Sequence, residues 1–249
     1  RCAARRAGQR TRIFPLAVRT VMLDLDGTLL DTAFDLSEAA NAMLRDFGLM
    51  EYDVDTIRSF IGRGLPNLVQ RCLDGQTSSG TLPAHTVAMD KFRSHYREIS
   101  GRHATCYPGV IEGLNAMRAM GLPLACVTNK ASEFTLPLLE RSGLVDYFTQ
   151  IVCGDTLARN KPDPLPLLHI CTGFGIAPSQ ALMIGDSRND VIAARAAGCP
   201  VFCVPYGYNE GRPVQELACD AIVASLEAAV ALIIRDERDD KPTYQECSA

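Results

Sequence analysis

A chain of 249 residues with a net charge of −4, 47% hydrophobic and 22% charged, is long enough to bury a substantial core in one domain or two. It has no basic face or run beyond its first dozen residues, which excludes a nucleic-acid partner, and Ala228 to Ile234 is far too short an apolar run to span a membrane. The ten cysteines are scattered through apolar segments, as Cys126, Cys153 and Cys171 are, and read as small buried hydrophobes of a reducing, cytoplasmic compartment.

Residues 1–17 are arginine-rich and carry no acid, which predicts a disordered basic leader. Val18 to Leu25 is an apolar, branched-rich run that reads as a buried first strand and breaks into Asp26-Gly27-Thr28. A helix is expected from Asp35, with Asp35 or Ser37 as its cap and Leu36, Ala39, Ala40, Met43, Leu44 and Phe47 as its apolar stripe. Val54–Ile61 and Leu65–Leu73 are shorter helical patterns separated by Gly62-Arg63-Gly64. Asp74–Pro83 is a polar connection, and Met89, Phe92, Tyr96 and Ile99 line one face of a further helix. No strand pattern interrupts this stretch, so 33–106 reads as a helical insertion.

From Pro108-Gly109 the character changes. Val110–Met120 is helical, and Leu122–Val127 is a strand that lands on Thr128-Asn129-Lys130. The next helix runs to Ser142-Gly143, with Pro137 required in its first turn or at a kink. Gln150–Cys153, Ala181–Ile184, Val201–Val204 and Ala221–Val223 read as strands, and Pro164–Gly175, Asn189–Gly198 and Ser225–Arg235 as helices. Cys199 and Cys203 flank Pro200 and a strand, with no second pair to complete a zinc site. Short apolar strands alternating with helices predict a parallel sheet wound on both faces. The α/β core is therefore 18–32 plus 107–235, the cap 33–106, and 236–249 a disordered polar tail.

Two carboxylates, Asp24 and Asp26, sit at the end of the first strand and can share one direction, because strand side chains alternate. Such crowding calls for a cation or a shared proton. In open parallel sheets ligands bind beyond the carboxyl ends of the strands. Thr128 and Gly185-Asp186 also fall there, and Lys161 lies in the loop after a third strand. Singly each has an ordinary reading as a turn, a solvated lysine or a helix cap; jointly they read as a site.

Asp24-Leu25-Asp26-Gly27-Thr28 resembles the first motif of the haloacid dehalogenase superfamily, and Thr128, Lys161-Pro162 and Gly185–Asp190 resemble its other three in order. The resemblance implies a Rossmann-like parallel-sheet core with an inserted helical cap. It also implies phosphoester hydrolysis in which Asp24 attacks phosphorus and becomes an aspartyl phosphate. Asp26 would protonate the leaving oxygen and later deprotonate water. Dehalogenases of the superfamily carry Tyr at the position of Asp26, and P-type ATPases Thr. Thr128, with Asn129 beside it, and Lys161 would bind the phosphoryl oxygens. Mg²⁺ would be held by Asp24, the backbone carbonyl of Asp26 and Asp186, with Asp190 orienting a metal-bound water or Lys161.

Thr128-Asn129-Lys130, Gly185–Asp190, Pro205–Asn209 and Phe60–Gly64 further resemble the bacterial phosphoglycolate phosphatases. The implied substrate is a small phosphorylated metabolite, 2-phosphoglycolate, with Arg63 reaching over its carboxylate. A solvated arginine in a helix–helix turn is the alternative for Arg63. A sugar-phosphate mutase would depend on cap residues not located in this chain. A receiver-type signalling domain would lack both the second acid at Asp26 and the insertion. Oligomeric state is open.

Overall fold

A computed structural model describes residues 13–76 and 81–237. Its first strand, β1 (Leu16–Val18), is followed by β2 (Thr20–Leu23) and β3 (Leu30–Asp31). The cap then supplies α1 (Ala33–Asp46), α2 (Val54–Arg58), α3 (Leu65–Asp74) and α4 (His85–Ile99). The chain returns through β4 (Thr105–Cys106) into α5 (Val110–Ala119), β5 (Leu124–Val127), α6 (Ser132–Arg141), β6 (Gln150–Val152), α7 (Leu165–Phe174) and β7 (Ala181–Gly185). It closes with α8 (Arg188–Ala197), β8 (Val201–Cys203), β9 (Ala221–Ile222), α9 (Leu226–Val230) and β10 (Ile233–Arg235).

The main sheet has six strands in the order β6-β5-β2-β7-β8-β9, and every pairing in it is parallel. Alternation along the strands feeds two cores. Val21, Leu23, Cys126 and Ile184 pack with α5 and α9 on one face. Met22, Ala125, Val127 and Met183 pack with α7 and α8 on the other. Both faces are covered, which is why these strands read as unbroken apolar runs. The register sets Leu23 opposite both Cys126 and Ile184, so Asp24, Thr128 and Asp186 leave the sheet along one edge.

Several expectations change. The run read as one strand, Val18–Leu25, is two. Leu16–Val18 pairs with β10, outside the main sheet, and only Thr20–Leu23 joins β5 and β7. Part of the expected 1–17 leader is thus a strand, while 1–12 lie outside the described residues. The helix expected over Ser225–Arg235 stops at Val230, because the β-branched Ile233 and Ile234 pair with Leu16 and Ala17. Of the expected tail, 238–249 lie outside the described residues. Pro137 is the sixth residue of α6, beyond its first turn.

At the cap boundary β3 and β4 pair antiparallel, Leu30 with Cys106 and Asp31 with Thr105, so the two crossings between core and cap are tied together. Helix α1 begins at Ala33, before either expected cap residue. The buried Asp35 instead accepts hydrogen bonds from the amides of Gly101 (2.7 Å) and His103 (3.0 Å), fastening the end of the cap to its start. Inside the cap, Leu36, Met43, Leu68, Val69 and Phe92 form one cluster that Phe134 and Tyr208 of the core join. Among the described residues no helix is long and apolar enough to cross a membrane.

Candidate active site

Asp24 continues the edge of β2, its amide donating to Ile184 O at 3.0 Å, and its carboxylate is buried. Lys161 meets it from the loop after β6. The Lys161 ammonium donates to Asp24 Oδ1 (2.7 Å), Asp190 Oδ1 (2.6 Å) and Val127 O (2.6 Å), which uses all three of its N–H bonds. Burial alone would lower the ammonium's pKa, but Asp190 and Asp24 outweigh it and hold the group charged.

Asp186 follows β7, and its carboxylate is gripped on both oxygens, by the Thr28 hydroxyl (3.0 Å) and the Tyr208 amide (2.7 Å). Gly207 allows this approach, since a Cβ there would collide with the Asp186 side chain. Asp190, in the first turn of α8, turns Oδ2 back to Ser187, accepting from its hydroxyl (2.7 Å) and amide (3.1 Å).

Asp24, Asp186 and Asp190 bring one oxygen each within 4.8 Å of one another. Burial pushes the Asp186 carboxyl up to about 6, with Asp190 adding to it. Burial also holds Asp24 well above the usual carboxylate range, where Lys161 opposes the rise and Asp190 and Asp186 reinforce it. Converging hard oxygens with unfavourable charge are the donor set of a hard divalent cation, which relieves the repulsion that burial intensifies. The residues present fit such an ion.

Asp26 sits across the same opening and is not part of that cluster. Its Oδ1 accepts from the Thr32 hydroxyl at 2.7 Å, and both oxygens accept from Lys130 Nζ at 3.1 Å. Thr128 is buried and its hydroxyl accepts from the Lys130 amide at 3.1 Å. Asn129 Nδ2 donates to Lys161 O (2.7 Å) and to Gly62 O (3.3 Å), and Asn189 Nδ2 reaches the same Gly62 carbonyl at 3.1 Å. Two core asparagines thus hold the tip of the cap over the site. Gly62 itself has φ +130°, a conformation open to glycine and strained for other residues.

Between core and cap a cavity of about 40 Å³ remains, lined by Asp24, Asp26, Thr128, Asn129, Lys130 and Lys161 below and by Leu36, Ile61, Gly62 and Leu65 above. Arg63 is not brought into it. Its guanidinium turns outward to Glu210, Nε to Oε1 at 2.5 Å and Nη2 to Oε2 at 3.1 Å, and is 54% exposed. A partner at Glu210 was available only once the 205–211 loop folded back to the cap.

Sequence reasoning missed Lys130, Tyr96, Asn189, Thr28, Thr32 and Tyr208 as parts of the site. Lys130 and Tyr208 lay within segments already singled out, and Tyr96 was hidden in an apolar helix stripe. Thr28 and Asn189 lay inside the first and fourth motif stretches but were given no role of their own there, and Thr32 had no spacing signal separating it from an ordinary helix-end residue.

A family model described as haloacid dehalogenase-like hydrolase matches residues 21–204. A phosphoglycolate phosphatase of Thiobacillus denitrificans is 52% identical over 223 residues, covering 89% of this chain and 98% of the relative. One of Nitrosospira multiformis is 55% identical over 224 residues, covering 88% and 97%. Among solved structures, a "predicted phosphoglycolate phosphatase" of Haemophilus somnus superposes with a TM-score of 0.82 at 33% identity, covering 84% of this chain and 95% of that one. The matched stretch runs from the strand that presents Asp24 to the one beside Gly185, with the cap inside it, and on this evidence the chain belongs to the haloacid dehalogenase-like hydrolases.

Proposed function

We propose that this protein is a Mg²⁺-dependent phosphatase that hydrolyses 2-phosphoglycolate to glycolate and phosphate through an aspartyl phosphate on Asp24. The observation that carries the chemistry is the pairing of the buried Asp24 with the Lys161 ammonium at 2.7 Å, opposite a second acid, Asp26, on the same cavity. Asp24 attacks phosphorus, and Lys161 offsets the charge that would otherwise repel a carboxylate from a phosphate dianion. The Thr128 hydroxyl and the amides beside it bind the phosphoryl oxygens. Asp26 gives a proton to the departing alkoxide and then takes one from the water that cleaves the acyl phosphate.

Asp24, the backbone carbonyl of Asp26 and Asp186 would hold Mg²⁺, which supplies Lewis-acid stabilisation of the phosphoryl charge when bound. Asp190 holds Lys161 in place from behind. The cap tip, pinned through Gly62, excludes water other than the attacking one.

The relatives at 52% and 55% identity, which bear that activity in their names, support the substrate. The burial of most of the described cysteines as small apolar side chains suits a reducing compartment such as the cytoplasm.

Phosphate release by the purified protein, with Mg²⁺ and with a chelator, over a panel of small phosphomonoesters tests the reading. The expected result is Mg²⁺-dependent turnover with the highest kcat/KM for 2-phosphoglycolate. A higher value for another ester in the panel would move the substrate, and metal-independent turnover would remove the Mg²⁺.

A further inference from the structure

Lys130 is a buried cation to which the proposed reaction gives no work. Its side chain is 1% exposed, yet it is not spent on packing. Nζ makes three hydrogen bonds, to both oxygens of Asp26 at 3.1 Å and to the Tyr96 hydroxyl at 2.7 Å, and also lies 4.9 Å from the centroid of the Tyr96 ring. Tyr96 belongs to α4 of the cap and is fully buried, with its ring 4.8 Å from Phe134 and 5.5 Å from Phe92. The chain of contacts therefore runs from cap helix to core lysine to the acid of the reaction.

We propose that Lys130 is the positioning residue for Asp26, and that the Tyr96 hydroxyl makes this positioning depend on the cap. The inference rests on Asp26 being the acid of the proposed reaction. Among the described residues, nothing else in the site fixes the carboxylate on both sides. The Thr32 hydroxyl takes Oδ1 alone, and a carboxylate held at one oxygen can still swing about χ1 and χ2. With Lys130 across both oxygens the rotation is set, and Oδ2, which carries the lighter load, is the oxygen left to meet a leaving group. A buried ammonium needs its donors satisfied, and with both Asp26 oxygens in hand the third acceptor is supplied by the cap. Without Tyr96 in place, Lys130 would pull on Asp26 with one N–H unpaired. The acid is thus fully ordered only when α4 lies against the core.

Lys130 does not reach the phosphate-binding groups in the way Lys161 does. Its side chain touches neither Asp24 nor Asp190, and its link to Thr128 is through its backbone amide. This separation makes the proposal testable through the leaving group. An alkyl ester such as 2-phosphoglycolate needs its leaving oxygen protonated, whereas the nitrophenolate of 4-nitrophenyl phosphate departs without help. A residue that acts through the acid therefore affects the first ester and spares the second. A residue that holds the fold or the phosphate affects both alike.

The experiment measures formation of the phosphoenzyme by rapid mixing for both esters in Lys130→Met, Tyr96→Phe and Asp26→Asn, with folding followed by circular dichroism. Phosphorylation of Lys130→Met by 2-phosphoglycolate is expected to slow about ten-fold or more, as for loss of a charged hydrogen bond. Phosphorylation by 4-nitrophenyl phosphate should stay within about two-fold of the parent. Tyr96→Phe, which keeps the ring and its stacking, should show the same contrast at a few-fold and carries the test if Lys130→Met fails to fold. Equal slowing with both esters would overturn the proposal, as would a weakened KM for 2-phosphoglycolate at unchanged phosphorylation rate, which would make Lys130 a substrate ligand. The contrast needs only one unactivated alkyl phosphate that the enzyme turns over. It is therefore readable even if 2-phosphoglycolate proves not to be the substrate, and a normal Asp26→Asn would instead refute the acid assignment itself.

Discussion

Lys161 Nζ lies 2.7 Å from Asp24 Oδ1, and both groups are almost wholly out of water, at 3% and 12% side-chain exposure. The ammonium is shared with the fully buried Asp190 at 2.6 Å, so one cation compensates two carboxylates. Removing a partner from such a pair costs far more than the pair contributes, because the remaining charge stays buried. Lys161→Ala is therefore expected to lower the unfolding free energy by about 3–5 kcal/mol in the presence of a chelator, and to abolish turnover. Urea denaturation measures the first effect. A loss below about 1 kcal/mol, the range of exposed pairs, would mean that water reaches the carboxylates freely.

Asp24→Asn should fold and be inactive. Asparagine keeps the shape and can still accept from Lys161, but its amide cannot form the acyl phosphate. The check is phosphate release together with a circular dichroism spectrum. Turnover by a preparation freed of host phosphatases would assign the nucleophile elsewhere.

The carboxylate cluster gives a pH dependence to cation binding. The native Asp186 carboxyl, at about 6, lies above its unfolded value of about 3.9. Between those limits the native state holds a proton that the unfolded chain has released, so this group's contribution to stability falls as pH rises through that window. Asp24, raised by burial as well, acts in the same direction. A divalent cation takes the place of those protons and must displace them at low pH. Mg²⁺ should therefore raise Tm more at about pH 7.5 than at about pH 5. Thermal unfolding with and without the ion checks this, and equal shifts at both pH values would place the ion at another site.

Much of this site could be read from the chain because the sheet is parallel. Once Val21–Leu23, Leu124–Val127 and Ala181–Ile184 are strands, their carboxyl ends share one edge, and Asp24, Thr128 and Asp186 come with them. The features that could not be read depend on partner choice. The step from β1 to β2 is a change of pairing strand, and Leu16–Val18 is as apolar as Thr20–Leu23. Ile233–Arg235 likewise becomes a strand only because β1 is there to receive it. Tyr96 sits at apolar helix spacing, and nothing in that spacing announces that its ring and hydroxyl meet Lys130. The place of Arg63 depends on Glu210, held in a left-handed backbone conformation (φ 52°) that no local pattern announces.

Gly62 tests how the cap tip is held. A Cβ built there has nothing nearer than Asn189 Nδ2 at 3.8 Å, so Gly62→Ala meets no crowding and its cost is conformational. At φ +130° that cost is about 1–3 kcal/mol, and the chain can relieve it by moving the Gly62 carbonyl away from Asn129 and Asn189. Stability should therefore fall by less than the full strain, while kcat/KM falls about ten-fold as the tip lifts. Kinetics and urea denaturation of the one variant separate the two effects. Unchanged kcat/KM would show that the two asparagine contacts do not govern closure.

Arg63 decides whether the cap recognises the substrate's carboxylate by side chain or by backbone. The sequence suggests a cation aimed at that carboxylate, but the guanidinium is paired with Glu210 on the outer side of the tip and is absent from the cavity lining. An ion pair at 54% exposure is worth about 0–1 kcal/mol, and truncating it removes a brace between the cap and the 205–211 loop. Arg63→Ala is therefore expected to reduce kcat/KM by no more than about five-fold, the equivalent of that energy. The reduction should be equal for 2-phosphoglycolate and for an uncharged aryl phosphate ester. Glu210→Gln should reproduce it, since either change breaks the same brace. A loss of ten-fold or more confined to 2-phosphoglycolate, with Glu210→Gln silent, would mean that Arg63 leaves Glu210 when substrate enters and reads the carboxylate after all.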